Sequence, residues 1–139
     1  MERDLEKLAK EFVLERLKSV ADPYALAGDI ARKIAVAGAR SSSEPRAAVS
    51  AACRGVIGGM LILEKNLPKT AVALLAQMAV VAQEAHLDPG DCMTWAMEGI
   101  APVCKLAPND MGSEVRAALE AAFMGAGDIF ERVLRTSGA

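Results

Sequence analysis

Aromatic residues are scarce in this chain of 139 residues. Tryptophan and tyrosine occur once each and phenylalanine three times, so aromatics make up 4% of the chain, whereas apolar residues as a whole reach 53%. The apolar content is therefore mostly alanine, leucine, valine and isoleucine, a mixture with strong helix formers and few of the aromatics that are enriched in strands. No window alternates with period two, while several repeat at three and four. The pattern predicts an all-α fold, built as a single domain over residues 1–139.

Histidine and cysteine are too few for a metal site or a disulfide framework, with one histidine and three cysteines. Cys53, Cys92 and Cys104 are odd in number and form no C-x-x-C motif. With His86 alone beside them, no ligand spacing typical of a metal site occurs, and we expect neither metal nor cofactor. The charged first residues lack the apolar core of a signal peptide, so we expect reduced thiols and a cytoplasmic protein.

Net charge is also small, since 16 basic and 18 acidic residues leave a formal charge of −2. Such a balance indicates neither nucleic acid nor an acidic substrate as a partner. The apolar runs at 47–63 and 71–82 are shorter than the roughly 20 residues that a membrane-spanning helix needs, and each has a polar residue near its centre. We therefore expect no nucleic-acid partner and no membrane partner.

The most apolar stretch of the chain predicts a central helix near 45–65, with the charge of Arg54 near its middle. A helix that is apolar nearly all round belongs inside a bundle. Its small residues, among them Gly55 and Gly59, form a strip that a neighbouring backbone could approach closely. We predict a bundle of about six helices in which the central helix packs antiparallel to a helix near 68–86.

Turn and capping signals place the remaining boundaries. Asp22–Pro23 predicts the start of the second helix, and Ser43 is the expected N-cap of the central helix. Asn66 is expected to close the central helix. Pro102 should kink or end the predicted fifth helix, which follows the turn at 86–91, because proline removes a backbone donor. A periodic stripe predicts one last helix over 113–135.

The first helix, expected over residues 3–20, has a broad apolar side that includes Leu5, Leu8 and Phe12. Charged residues occupy the opposite side, which is the pattern of a helix that covers a bundle. We therefore expect it to lie on the outside of the fold.

One short repeat occurs in the chain, because Ala-Gly-Asp-Ile is found at 27–30 and again at 126–129. A match of four residues arises easily by chance in an alanine-rich chain. The repeat is meaningful only if both copies lie in equivalent surroundings.

The polar linker before the central helix is the first candidate site. Unpaired N–H groups at a helix N-terminus favour an anion, and hydroxyl and guanidinium groups would add donors. Against this, a capping role alone explains Ser43, and Glu44 opposes an anion. Arg54 could anchor an anionic headgroup at the mouth of an apolar pocket, or pair with a carboxylate such as Glu84 or Glu98, or reach solvent. The candidate anion-binding residues are Arg40, Ser41, Ser42, Ser43, Arg46 and Arg54.

Two further candidates lie around the fifth helix. Cys92 is near the start of that helix, where the helix dipole can lower a thiol pKa, and His86 precedes it by six residues. Two neighbouring aspartates favour the protonated thiol, so a structural cysteine is the preferred interpretation. Trp95 lies off the apolar face of the same helix, where a large aromatic can mark a partner contact.

These patterns favour a non-enzymatic helical interaction or scaffold domain that self-associates as a homodimer. Two helices that are apolar nearly all round exceed what one small bundle covers. The interface would include Gly55, Gly59 and Trp95, provided that they lie on the surface. The alternative is a binding domain for a small anionic or lipid-like ligand in an apolar pocket between helices. A thiol enzyme that uses Cys92 and His86 comes third.

Overall fold

A computed structural model describes the backbone of residues 2–136 and the side chains of residues 4–136. This part of the chain contains eight helices and no strand, which confirms the all-α prediction. Among the described residues, no helix is long and apolar enough to cross a membrane. The helices are α1 Glu2–Arg16, α2 Pro23–Ser41, α3 Pro45–Ile62, α4 Leu67–Ala76, α5 Met78–Ala85, α6 Pro89–Cys104, α7 Met111–Ala122 and α8 Ala126–Thr136.

Helix α3 lies at the centre of the bundle, as predicted. Eleven of its 18 residues are buried, which only a helix enclosed by others can achieve. It packs broadly against α1, α2 and α6, and more narrowly against α4. The contact predicted between the central helix and the helix near 68–86 is therefore a narrow one with α4. The most extensive contacts of α3 are with α1 and α6.

Glycines allow α1 and α6 to approach the backbone of α3. A Cβ on Gly55 would overlap the carbonyl oxygen of Glu6 on α1. On the α6 side, a Cβ on Gly99 would overlap the carbonyl oxygen of Ser50 on α3. Gly59, one turn after Gly55 on α3, lies against Val13, which follows Glu6 on α1. Contacts later in α3 are therefore made by later residues of α1, so the two helices run parallel. The close approach predicted for the glycine strip is confirmed.

Two helices that the periodicity predicts as continuous are broken in the structure. The helix predicted near 68–86 divides at Gln77, whose N–H donates to the carbonyl of Leu74 in a tight turn of the 3₁₀ type. The helix predicted over 113–135 divides between α7 and α8, where Gly125 has a φ of 90°. Glycine is favoured in that conformation because it has no Cβ.

At Pro102 the helix continues where the sequence predicts a kink or an end. Helix α6 continues through Pro102 to Cys104, so the expected end of the helix is wrong. Pro102 stands in the last turn, where one missing backbone donor interrupts little of the remaining hydrogen-bond ladder.

The capping predictions are correct at one position and wrong at two. The Asp22 side chain accepts two backbone N–H groups of α2, at 3.2 and 3.1 Å. The N-cap of α3 is Glu44 instead of Ser43, and its side chain makes no capping hydrogen bond. Asn66 is the N-cap of α4 and accepts the N–H of Lys69 at 2.9 Å, so it begins the next helix rather than closing α3.

The two copies of Ala-Gly-Asp-Ile lie in different surroundings. The first copy is inside α2, where Gly28 faces the carbonyl of Ala73 on α4. The second copy begins α8, where Gly127 faces the side chain of Glu120 on α7. The repeat therefore has no common structural role.

Candidate interaction surface

The polar linker uses its donors inside the fold. The Ser41 hydroxyl donates to a backbone carbonyl of α2 at 2.9 Å, and the Ser42 hydroxyl accepts the N–H of Glu44 at 3.0 Å. The Arg46 guanidinium binds both carboxylate oxygens of Glu98, at 2.8 and 2.7 Å. This pairing raises the pKa of Arg46 and engages its guanidinium with the Glu98 carboxylate.

The cleft beside this linker is lined by carboxylates instead of cations. A cleft of about 190 Å³ is lined by Asp4 and Glu44, and no lysine or arginine is part of its lining. Arg40 and Ser43 are exposed elsewhere on the linker. The structure therefore does not bring the predicted anion-binding residues together around one cavity.

Arg54 finds its partner on α1. Its Nη1 lies 3.5 Å from Oε1 of Glu6, and 39% of its side chain is exposed. The carboxylates considered from the sequence have other partners, since Glu98 binds Arg46 and Glu84 lies 3.7 Å from Arg32. Arg54 thus has both an ion-pair partner and contact with solvent, and it lines none of the clefts of about 190, 220, 340 and 420 Å³.

The cysteines lie in surroundings that disfavour thiolates. Burial raises the pKa of Cys53 and of Cys104 to about 12. Burial also raises the pKa of Cys92, and the charges of two neighbouring aspartates add to the effect. His86 is exposed at the end of α5. Within the described residues, no group of three or more His, Cys, Asp or Glu side chains could hold a metal ion.

The residues expected at an interface are mostly covered by the chain itself. Helix α1 covers the strip that contains Gly55 and Gly59, both of which are buried. These glycines are expected to meet a second copy only if they lie on the surface, and that condition is not met, because α1 of the same chain covers them. Trp95 is only partly buried and packs against the hydrophobic core.

An apolar groove between α1 and α2 is the surface that the sequence did not predict. Helix α1 packs broadly on α3 but only narrowly on α2, so the line where α1 and α2 meet is incompletely filled. A cleft of about 220 Å³ opens toward one end of α1, and the 190 Å³ cleft lies at the other end. We call this surface the α1–α2 groove and define it by Leu5, Leu8 and Phe12 of α1 and Leu26, Ile30 and Ile34 of α2.

The two helices of the groove run antiparallel. Leu5, near the start of α1, lies against Gly38, near the end of α2. Phe12 and Arg16, toward the end of α1, share a cleft with Leu26, near the start of α2. The groove therefore follows most of the length of α1.

The ends of the α1–α2 groove differ in charge. At one end, Arg16 lies 4.7 Å from the centre of the Phe12 ring and Lys33 lies on the opposite wall. Lys33 Nζ is 3.1 Å from a carboxylate oxygen of Asp29, and their hydrogen bond is the main cause of the lowered pKa of Asp29. We call this the basic end, since its lining has two cations and one carboxylate. The acidic end has two carboxylates, as described above for the 190 Å³ cleft.

Leu8 lies between Leu5 and Phe12 on α1, about one turn from each, and is 43% exposed. Its position could have been noticed in the sequence, because the apolar residues of α1 spread wider than the ~100° stripe of an ordinary surface helix. Ala9, Val13 and Leu17 are completely buried, while Leu8 and Phe12 lie to one side of this buried line. The prediction of a covering helix is correct for the buried line and omits the second apolar stripe.

The remaining surface features are more isolated or more mixed in charge. The exposed apolar side chains Ile62, Leu106 and Met124 lie on separate elements. A cleft of about 340 Å³ between the end of α6, the start of α7 and α8 contains both cations and carboxylates, and there Arg116 lies 3.0 Å from Glu131. An open groove of about 420 Å³ lies between α2, α4 and α7. None of these shows the ordered charge pattern of the α1–α2 groove.

Comparison of this chain with models of known protein families, with curated proteins and with solved structures finds no match. Its function is therefore inferred from its own residues.

Proposed function

We propose that this chain is a non-catalytic helical module that associates with a second copy of itself as a homodimer. The observation that carries the proposal is the α1–α2 groove, where the exposed Leu8 and the partly exposed Leu5, Phe12 and Leu26 lie beside the buried Ile30 and Ile34. A single exposed apolar residue is normal on a monomer, whereas a contiguous row with charged ends is typical of a contact surface. Burial of such a row is favourable by about 25 cal/mol per Å² of apolar area.

The chemistry of the potential nucleophiles supports a non-catalytic role. Cys92 is buried and its pKa is raised, whereas a nucleophilic cysteine needs access and a lowered pKa. The free, buried thiols also support our proposal that the protein works in a reducing compartment such as the cytoplasm.

A ligand-binding role has less support in the structure. The arginines proposed as anchors line none of the clefts of about 190, 220, 340 and 420 Å³; these arginines are Arg40, Arg46 and Arg54. Arg46 and Arg54 already have carboxylate partners. An anionic ligand would have to displace those partners.

Sedimentation velocity over a concentration series tests self-association directly. We expect the average mass to rise from that of the 14.6 kDa chain toward twice that value as the concentration increases. A chain that stays monomeric up to about 1 mM would have less than about 4 kcal/mol of association free energy, and this result would reject the proposal.

A further inference from the structure

We propose that α8 exchanges between two copies of this chain, so that α8 of each copy packs on α6 and α7 of the other. In the exchanged form α7 and α8 join into one continuous helix, and residues 123–125 between them straighten. The inference rests on the proposed self-association and adds to it a contact that does not use the α1–α2 groove.

The surface that holds α8 identifies its occupant. Helix α8 packs on both α6 and α7, and its Phe130 is completely buried. On α7, Arg116 lies 3.2 Å from a carboxylate oxygen of Asp128 and 3.0 Å from one of Glu131. The α8 of a second copy has the same side chains and therefore fits the same surface, which is why exchange of an identical element is a low-cost route to a dimer.

The apolar stripe continues across the junction between α7 and α8. Its members recur at intervals of three and four residues and are Val115, Leu119, Phe123, Ala126 and Phe130. This is the spacing of one uninterrupted amphipathic helix, and it is the basis on which the sequence predicts a single helix over 113–135. A joined helix is therefore amphipathic along its whole length.

The backbone groups at the junction can form either arrangement. In the folded-back form, Gly125 and Gly127 donate their N–H groups to the Glu120 carboxylate at 2.9 to 3.2 Å. In a joined helix the same N–H groups would bind the backbone carbonyls of residues 121 and 123. Straightening therefore replaces side-chain acceptors with backbone acceptors, and these donors have partners in both forms.

Gly125 and Glu120 favour the folded-back form. Gly125 has a φ of 90°, and a Cβ built there meets nothing within 4 Å. Alanine at this position would cause no clash, but it disfavours a positive φ and favours a helix. Gly125→Ala thus weakens the folded-back form and strengthens the joined form. Glu120→Gln acts in the same direction, because it removes the charge that accepts the two N–H groups in the folded-back form.

A disulfide between α7 and α8 shows which chain supplies α8. A Cβ on Gly112 would lie 4.0 Å from Cγ of Leu134. The two Cβ atoms are therefore no more than about 5.5 Å apart, close to the spacing of a disulfide. Gly112→Cys with Leu134→Cys is made in a Cys104→Ala background, because Cys104 lines the same cleft. Gly112→Cys alone measures chance cross-links.

Refolding from urea lets each chain choose its partner. The full-length chain is refolded at about 1 μM or at about 1 mM, diluted to about 1 μM and treated with oxidised glutathione. Folded-back chains then run as monomers on a non-reducing gel, whereas exchanged chains run as covalent dimers. Circular dichroism and thermal melting confirm that each variant is folded.

The wild-type junction and its variants should differ in a defined order. With the wild-type junction, covalent dimers should form after refolding at about 1 mM and be absent after refolding at about 1 μM. Gly125→Ala should lower the concentration at which half of the chains are exchanged by about 100-fold or more. Glu120→Gln should lower it by a smaller factor. Gly58→Ala is the control, since it makes the same substitution within α3, and it should leave that concentration unchanged.

The outcomes separate the exchange from the proposed function. A dimeric wild type whose disulfide stays within each chain would overturn the exchange and leave self-association standing. A wild type that is monomeric and gives only within-chain disulfides would reject both. Exchange in Gly125→Ala without exchange at the wild-type junction would reject it for the natural chain. Should Gly125→Ala lose its helices, Glu120→Gln decides, and a half-exchange concentration equal to that of wild type would contradict the inference. Covalent wild-type dimers, with shifts at both junction variants and none in Gly58→Ala, would establish it.

Discussion

The close crossing of α1 and α3 makes a sharp prediction about Gly55. The substitution Gly55→Ala adds a single methyl group at the crossing of α1 and α3. That carbon would overlap the carbonyl oxygen of Glu6 and would lie 2.8 Å from Cβ of Ala9. Neither neighbour can rotate away, since one belongs to the backbone and the other is a methyl group. Helix α1 must therefore shift on α3.

Gly58 provides the matched control within the same helix. A Cβ at Gly58 would meet only the end of the Lys10 side chain, with Cε at 3.4 Å. Alanine is favoured over glycine inside a helix by about 1 kcal/mol, so Gly58→Ala should increase the free energy of unfolding by about 0.5–1 kcal/mol. At Gly55 the same gain is opposed by an overpacking cost of about 1–3 kcal/mol, so the net change should be a loss of up to about 2 kcal/mol.

Thermal and urea unfolding of the two variants measure this difference. For a domain of this size, 1 kcal/mol corresponds to a change of about 3–6 °C in melting temperature. Gly58→Ala should melt above wild type and Gly55→Ala below it. If Gly55→Ala were stabilised as much as Gly58→Ala, the close crossing of α1 and α3 would be refuted.

Three other sites make predictions that simple assays can check. The Glu120 carboxylate accepts the N–H groups of Gly125 and Gly127 at 2.9 to 3.2 Å, and these bonds lower its pKa. The ionised Glu120 carboxylate stabilises the fold above the pKa it has in the unfolded chain, and this contribution disappears as pH falls through its lowered pKa in the folded chain. Glu120→Gln should therefore have a lower melting temperature than wild type at neutral pH and the same melting temperature in acid. A difference in melting temperature that persists in acid would contradict this. Arg54→Ala should reduce the free energy of unfolding in urea by no more than about 1 kcal/mol, because the side chain is 39% exposed, and a larger loss would indicate a tightly buried ion pair. Cys92 should react with iodoacetamide more slowly in the folded protein than in urea, because burial raises its pKa, and mass spectrometry showing equal rates would contradict its burial.

The central position of α3 could be predicted because it depends on composition alone. A helix of 18 residues with only two charges, Arg46 and Arg54, is typical of the inside of a bundle, and its glycines indicate where neighbours can approach. The cap at Asp22 could also be predicted, since its partners are two and three residues away in the chain. Both features depend on local sequence or on a pattern within one helix.

The breaks in the long helices and the α1–α2 groove depend on tertiary packing. Hydrophobic periodicity continues across Gln77 and across the α7–α8 junction, so this periodicity does not predict that one helix ends and another begins there. The groove exists because α1 packs mainly on α3 and only narrowly on α2. The sequence contains Leu8 and Phe12 on one side of α1, but only the position of α2 decides whether that side is filled.

The parallel contact between α1 and α3 also has a consequence for how the chain folds on the ribosome. Helix α1 is synthesised before Pro45–Ile62, the helix that makes the surface on which α1 rests. A 15-residue helix is only marginally stable in isolation. Its leucines must therefore remain in water, or be held by a chaperone, until the 46 residues from 17 to 62 have been translated. A nascent chain stalled before α3 should accordingly be open to proteolysis within its first helix.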